Sequence, residues 1–570
     1  MRGKAAISRR SFLAAGTIVG GGALLGLAGC ASGGTESRSA DTEQTSNYPN
    51  HIDENDFAES SAVVDDIAEF VDEKTFDIVV VGAGVAGLPA VLTALEEGAS
   101  VACLQKESAA SGNGNFSSGL IVEESDDQGI MNWMQSQRRA NLYRVNWDLL
   151  RYHAYHSGET VCFMDKVTEE IGYSAPLHTI ADSVVYEDGT RITYAKHAWK
   201  SNNLLVQELA KHAEQEGAEF FYKTPGVQLV TSEDGAVTGV IGNGPDGYIK
   251  FNANVAVILA TGDYECNESM KSKFCPDLNH VQPYQINRTG DGHLMAIAVG
   301  AQMVPQPHAK QAHDVFSTTF GISATPLLSL DHAGKRFMNE DASMPLWLNS
   351  TRYFHDQEDR GTFFRFFDDA FDEKYTTFPP REDMEKYIVG QSVPQEDTSQ
   401  IPYEPGLIGC HRADSIAELA EEMGPPADAV EQSIRQWNEF CANGRDEDFG
   451  LSPDYMKPID TPPYWGIANH VRIVAIDAGV IVDDHYQVLD GDYNPIPGLF
   501  AVGTAGGDLS GAADWQMASA VSNGHCMNSG RYSVIYALKG TLQPSHPSTW
   551  DEVKHLYDNV VVDSTWQKKA

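Results

Sequence analysis

Apolar and polar positions change character sharply at Phe76. The run Phe76-Asp-Ile-Val-Val-Val81 reads as a strand buried on both faces. It feeds Gly82-Ala-Gly84-Val-Ala86-Gly87, and a helix-compatible segment from Ala86 to Glu97 follows at once. This predicts a strand–turn–helix unit that seats a pyrophosphate. Gly82 permits the tight turn, Gly84 lets backbone approach phosphate, Ala86 keeps the turn small, and Gly87 lets helix pack on strand. The N–H groups that open the helix face the anion.

The alternation continues downstream. Val101–Leu104 reads as a second strand, ending in Gln105-Lys106. An acidic residue is usual there to hold the ribose hydroxyls; Gln105 takes that place and still accepts a hydrogen bond. The loop Ser111-Gly112-Asn113-Gly-Asn-Phe-Ser-Ser118-Gly119 is made of small residues that can wrap a cofactor closely. An amphipathic helix is predicted over 202–217, then strands at 227–230, with Val227 beside the cofactor, and at 236–241. Val255–Ala260 is a buried strand that ends in the turn Thr261-Gly262, and Thr289-Gly-Asp291-Gly opens another helix over 293–299. Asp291 there is expected to bind ribitol or ribose hydroxyls. From about 301 to 463 the alternation lapses and aromatic, proline and charged residues rise, which predicts an inserted domain. The earlier pattern resumes at 475–482 and runs through a strand into the turn at Gly503. A final helix over 520–538 follows, opened by Ser522-Asn-Gly524.

The first thirty residues follow different rules. Ser8-Arg9-Arg10-Ser-Phe12-Leu is a twin-arginine pattern, followed by a Gly/Ala-rich apolar segment to Ala28 that is too short and weak to span a membrane. It ends in Leu27-Ala-Gly-Cys30, which resembles a bacterial lipobox. Together these predict export by the twin-arginine route, cleavage before Cys30, lipidation of Cys30 and attachment to the outer face of the cytoplasmic membrane. The next residues are rich in Ser, Glu, Asp, Thr and Asn and read as a disordered tether. The predicted organisation is therefore a signal peptide over 1–29, a lipidated tether over 30–73, and a dinucleotide-binding domain split into 74–300 and 464–541. A capping domain over 301–463 interrupts it, and a tail over 542–570 is placed as a docking segment. The fold class is α/β, a Rossmann-like domain with an inserted α+β cap.

Composition narrows the function. The 570 residues hold 80 acidic and 40 basic side chains, a net charge of −40, with no basic stripe for nucleic acid. The eight cysteines form no CxxC and no CxxCH, so neither a zinc ribbon nor a c-type haem is indicated, and no metal site is assigned.

The ordered set Gly82–Gly87, Ala260-Thr-Gly262, Thr289-Gly-Asp-Gly292, Gly334-Lys-Arg-Phe-Met-Asn-Glu340 and Gly498-Leu-Phe-Ala-Val-Gly503 resembles the FAD-dependent fumarate reductase/succinate dehydrogenase flavoprotein family. Its exported bacterial reductases are the best match, and 3-ketosteroid dehydrogenases share the layout. The resemblance covers about 74–540. It implies FAD, with substrate between the cap and the flavin ring. No histidine stands in the 111–119 loop, where some relatives attach FAD covalently, so the cofactor is expected to be noncovalent. The N–H groups at Ser522–Gly524 would favour negative charge on the reduced ring.

The chain departs from that family where the chemistry lies. The family's acid, an arginine five residues after Asn339, is replaced by Met344; its proton relay falls near Phe320 and Ser323; its carboxylate-clamping arginine falls at Asp514 or Met517; and its substrate histidine falls at Ala475. His308 alone matches a residue of the reductases' substrate pocket. A dicarboxylate should therefore bind poorly. Tyr464, Asp514 and Trp515, with His308, are the candidate substrate contacts, and a larger, flatter acceptor such as a steroid or phenylpropanoid-like enone is the class implied. The same aromatics also suit simple packing of the cap, and Asp514 also suits a solvated or capping role. Tyr353, Arg352 and His308 are the candidate catalytic residues. The first reading is a reductase of an activated C=C bond in a small organic acceptor, with electrons from a membrane quinol dehydrogenase or a separate cytochrome. Its rivals are a flavin dehydrogenase of a steroid- or enone-like substrate, and a flavin protein that has lost catalysis and serves binding or electron relay.

Overall fold

A computed structural model describes residues 52–112, 116–172, 176–199, 202–284, 287–314, 325–342, 347–351, 354, 360–376, 378, 381–385, 410–518 and 520–557. The leader, Cys30, Asn113, Met344, Arg352 and Tyr353 lie outside these residues.

A large sheet forms the core. Its main path runs β15 (Gln487–Leu489), β16 (Pro495–Ala501), β9 (Gly247–Leu259), β1 (Asp72–Val81), β2 (Val101–Gln105) and β6 (Glu219–Tyr222), with β7 (Gly226–Thr231) and β8 (Val237–Gly244) paired as a hairpin onto β9. The pairs β16–β9, β9–β1, β1–β2 and β2–β6 are all parallel. Parallel strands need covered faces, and Ile78–Val81, Val101–Leu104 and Ala256–Leu259 are all buried. The covering helices include α2 (Gly87–Glu96), α4 (Asp291–Ala298) and α6 (Val521–Lys539), which lie within a residue or two of the predicted helices, and α3 (Trp147–Glu170) packs on α6.

Two further sheets surround the core. A three-stranded antiparallel sheet of β3 (Phe116–Ile121), β5 (Arg191–Trp199) and β4 (Pro176–Val185) packs on α3. The cap contains a five-stranded antiparallel sheet in which β14 (Tyr464–Asp477) pairs with β10 (Ala309–Asp314), β12 (Thr362–Asp368) and β13 (Cys410–Ala413), and β12 pairs with β11 (Leu328–Leu330). Its separate apolar centre includes Leu328, Phe364, Ile434 and Trp437, the last two on α5 (Ala427–Asn443). The predicted boundary at 463 thus falls at the start of the cap's longest strand. β14 carries the cap sheet on to Asp477, where it meets the nucleotide-binding core.

Both ends of the body differ from the sequence reading. Residues 52–73 were expected to be tether, yet α1 (Glu54–Ala58) is capped by Asp53 and docked, with Ile52 and Asp56 fully buried. Lys273 Nζ reaches Asp53 and Asp56 at 2.6 Å each. The polar composition that signalled disorder is here consumed by specific partners. At the other end, α7 (Trp550–Val553) packs on α3, with Trp550 and Tyr557 buried and the Tyr557 hydroxyl donating to Asp165 at 2.8 Å. Residues 542–557 are therefore part of the body, because an apolar cluster with Ile121, Val161 and Val553 requires the indole. Among the described residues no helix is long and apolar enough to cross a membrane.

Trp550→Ala should cost about 3 kcal/mol, the usual range for emptying a buried tryptophan site. The denaturant midpoint at unchanged slope checks this; an unchanged midpoint would return the segment to the role of a docking tail.

Candidate active site

The site is built where β1, β2, β9 and β16 end. After Val81 the chain turns at Gly82, whose φ is +111° and where a Cβ would lie 2.3 Å from the Ala260 carbonyl oxygen. Gly87 begins α2 so close to that turn that its Cβ would stand 1.8 Å from the Gly82 oxygen. At Gly84 the approach is looser, with a Cβ 3.3 Å from the Ser111 oxygen. The N-cap of α2 is Ala86, which offers no side-chain acceptor, and α6 likewise opens at Ala520 with no side-chain cap. A helix start without a cap leaves N–H groups to be satisfied by another partner. Two such starts at one sheet edge, reached through glycines, fit an anionic dinucleotide. Gly524 brings α6 onto β3, where a Cβ would sit 2.0 Å from the Ser118 oxygen, and Gln311 Nε2 donates to Ser522 Oγ at 2.7 Å. At Gly503 the φ is +61°; its N–H donates to Ser529 Oγ, and a Cβ would press on Ala86 and Cys526. Gly262 is also left-handed, at φ +75°. The Thr261 hydroxyl oxygen accepts from the Gly292 N–H at 3.2 Å and so caps α4 from across the site.

Several expected contacts are occupied by protein. Asp291, expected on ribose or ribitol hydroxyls, is buried and saturated: Oδ1 accepts from Ser60 Oγ at 2.6 Å, Ser61 N at 3.0 Å and Thr289 Oγ1 at 2.8 Å, and Oδ2 pairs with Lys106 Nζ at 3.0 Å. Burial works against its charge, but Lys106 and these donors hold it below the usual carboxylate range. Gln105 Nε2 is directed to Ala109 O and Ser111 Oγ, which fixes the amide and leaves its oxygen as the acceptor. The Val227 carbonyl, at a bulge in β7, accepts from Val63 N at 2.8 Å. Ser118 Oγ bonds the Tyr194 hydroxyl at 2.6 Å, and Gly119 allows β3 to touch α3, where a Cβ would meet the Ser157 oxygen at 2.3 Å. The Ser118 side chain and the Cα face of Gly119 are thus occupied by protein. Gly112 is half-buried on the loop after β2, before the undescribed Asn113.

The substrate candidates also separate. His308 is fully buried; its Nδ1 accepts from the Tyr264 hydroxyl at 2.5 Å and its Nε2–H donates to Val304 O at 3.0 Å. Burial drops its pKa to about 4, so it is neutral, with both nitrogens in use. It is a structural histidine in this state, which corrects its placement as a pocket and catalytic residue. Tyr464 pairs with Asp368 and Ala413 and packs on the cap's own apolar centre. It begins a 14-residue strand whose other end meets the core, so it stands about 40 Å from that end and does not line the site. Asp514 and Trp515 stay near the core edge. Lys310 and Asp514 form a parallel bridge, Lys310 N donates to Ala513 O, and Trp515 N donates to Lys310 O at 2.9 Å. Lys310 Nζ itself pairs with Asp277 at 2.7 Å.

Sequence reading missed the carboxylates behind this edge. Asp263 accepts from Ile476 N and pairs with Arg288 at 3.3 Å, bracing the Thr261–Gly262 turn against the start of the last domain segment. Asp477 is buried with Oδ2 unpartnered, and burial together with nearby Asp508 pushes its pKa well up. Asp508 accepts from Gly511 N at 2.6 Å, and burial raises it to about 7. Only proximity in the fold reveals these groups.

Comparisons with known proteins agree with this geometry. The family model for the FAD binding domain matches residues 77–515. The chain is similar to a vinyl phenol reductase of Lactiplantibacillus plantarum, 28% identical over 502 residues, covering 83% of this chain and 98% of that protein. It is also similar to a urocanate reductase of Eggerthella lenta, 25% identical over 460 residues, covering 76% of this chain and 70% of that protein. Among solved structures it shares the fold of an open flavocytochrome c3 fumarate reductase, with a TM-score of 0.64 at 22% identity over 82% of this chain and 80% of that one. It likewise shares the fold of a 3-ketosteroid-Δ4-(5α)-dehydrogenase from Rhodococcus jostii RHA1, with a TM-score of 0.56 at 21% identity over 83% and 98%. The cofactor is FAD.

Asp508 provides a pH test. A carboxyl raised on folding keeps a proton that the unfolded chain has released, so stability falls as pH rises from about 4 to about 7 and is level above. Asp508→Asn keeps the acceptor for Gly511 and should flatten that fall, gaining on the order of 4 kcal/mol at pH 8 and little at pH 4. Denaturation midpoints across this range read the difference.

Proposed function

Because the chain belongs to the FAD-dependent fumarate reductase and succinate dehydrogenase flavoprotein family, we propose that it reduces an activated C=C bond in an uncharged, ring-bearing organic acceptor. One observation carries the choice of acceptor. The loop that follows Gly503 carries Asp514, held beside β10 through Lys310, and Met517, the two positions at which the family resemblance puts a carboxylate-clamping arginine, and neither is a cation. An anionic dicarboxylate meets repulsion there, whereas an aromatic alkene does not depend on the clamp. The similarity to a vinyl phenol reductase over 98% of that protein supports the same class.

Bound FAD supplies the two-electron carrier for hydride transfer. The chain's own residues do the rest. The turn from Gly82 to Gly87 and the start of α2 hold the pyrophosphate. Gln105 and Lys106, at the end of β2, would serve the ribose end. The uncapped start of α6, steadied by the Gln311–Ser522 bond, would offer N–H groups to stabilise negative charge on the reduced ring. Protonation of the neighbouring carbon falls to Tyr353 or Arg352 in our reading, since His308 is neutral and engaged.

Lipidation at Cys30 after twin-arginine export would hold the enzyme on the outer face of the cytoplasmic membrane, where a quinol dehydrogenase or separate cytochrome could reduce it. The twin-arginine and lipobox-like residues support this placement.

The test is anaerobic reoxidation of the reduced holoenzyme, with viologen as donor, by 4-vinylphenol, a phenylpropanoid enone, a steroid enone and fumarate. The aromatic alkenes should reoxidise it at least 100-fold faster than fumarate. Faster turnover with fumarate, or none with any alkene, would sink the proposal. Tyr353→Phe should then lower kcat at least tenfold with KM little changed if the phenol is the acid.

A further inference from the structure

Upstream of every residue matched by the family model, the segment 52–67 is stitched onto the core. Asn267 Nδ2 donates to Asp56 O at 2.9 Å, and Ser60 and Ser61 bind the Asp291 carboxylate. Val63 N donates to Val227 O, and Gln228 Nε2 donates to Val63 O at 3.0 Å and to Asp65 O at 3.1 Å. Between this segment and the core lies a cavity of about 390 Å³, wide open to solvent, with Ala58 to Ser61 on one side and Lys106, Glu107, Pro225, Asn287 and Thr289 on the other.

The cavity's position decides its ligand. Lys106 and Glu107 directly follow β2, and the end of the second strand is where a dinucleotide unit receives ribose and base. The pyrophosphate turn lies at the end of the adjacent strand, paired in parallel with β2. The lining is mainly polar, and Lys106 gives it a cation that Asp291 orients.

We propose that residues 52–67 are a built part of the cofactor site, in which Ala58–Ser61 close the adenosine end of bound FAD and slow its release. Asp291 is then a positioning residue: it joins the closing segment to Lys106 and leaves the sugar to the segment and to Gln105. The proposal rests on FAD as cofactor and not on the acceptor's identity. A flavoprotein exported after folding would use such a wall to retain a noncovalent cofactor where none can be resupplied.

The experiment measures FAD release from the holoenzyme by recovery of flavin fluorescence, with no acceptor present, so failure of the acceptor assignment cannot affect it. Three changes are made in the full chain: deletion of 52–67, deletion of 31–50 as control, and Ser60→Ala. Deletion of 52–67 should speed release at least tenfold and Ser60→Ala about threefold, the control should release like the wild type, and apoprotein melting after Ser60→Ala should be unchanged. Unchanged release in both test variants overturns the proposal. So does faster release accompanied by an equal loss of apoprotein melting temperature, which marks a segment that only supports the fold. If the deletion does not fold, Ser60→Ala decides alone: faster release with unchanged apoprotein melting supports the wall, and wild-type release overturns it.

Discussion

Close approach of backbone to backbone at one sheet edge is the constraint from which the rest follows. Four glycines leave no room for a Cβ there: Gly87 against Gly82, Gly506 against Ala501, Gly524 against Ser118 and Gly530 against Ala86, at 1.8 to 2.0 Å from a carbonyl oxygen. These contacts bring α2 and α6, far apart in sequence, to the same place with unspent N–H groups. A side chain at Gly87 or Gly524 would push a helix start away from the anion it serves, and that helix dipole would lose its target.

That geometry sets the electrostatics around it. The edge concentrates positive potential from helix starts and from Lys106, while the second rank holds the carboxylates Asp263, Asp477 and Asp508. Only Asp263 among these has an arginine within ion-pair distance in the described residues, so a proton is the cheaper counter-charge for the other two. Arg531, fully buried on α6, is bound by Glu96 of α2 and Glu159 of α3 and locks the three helices together. At Arg531 a fully buried guanidinium serves to hold helices.

Legibility in the sequence followed the range of the interaction that determines each feature. The turn from Gly82 to Gly87, the Thr261–Gly262 turn and the start of α6 are conditions on neighbouring residues, and their spacing announced them. Gly119 is ambiguous in sequence because a glycine needed for helix contact looks the same as one needed for a cofactor. Tyr464 misled because distance along a strand is invisible without knowing which end meets the core. His308 matched a motif position, but the Tyr264 hydroxyl and the Val304 carbonyl together consume its ring nitrogens.

By itself the sequence determined the parallel nucleotide-binding core, its order of turns and the insertion of the cap, since strand runs and glycine spacings are local and each residue's backbone preference survives in any context. The tertiary structure decided which polar atoms remain available. Asp291 was legible as a site residue, yet its hydroxyl partner lies 231 positions away at Ser60, on a segment whose composition promised disorder. A buried carboxylate takes the donors that long-range packing delivers to it, and no local pattern encodes that delivery.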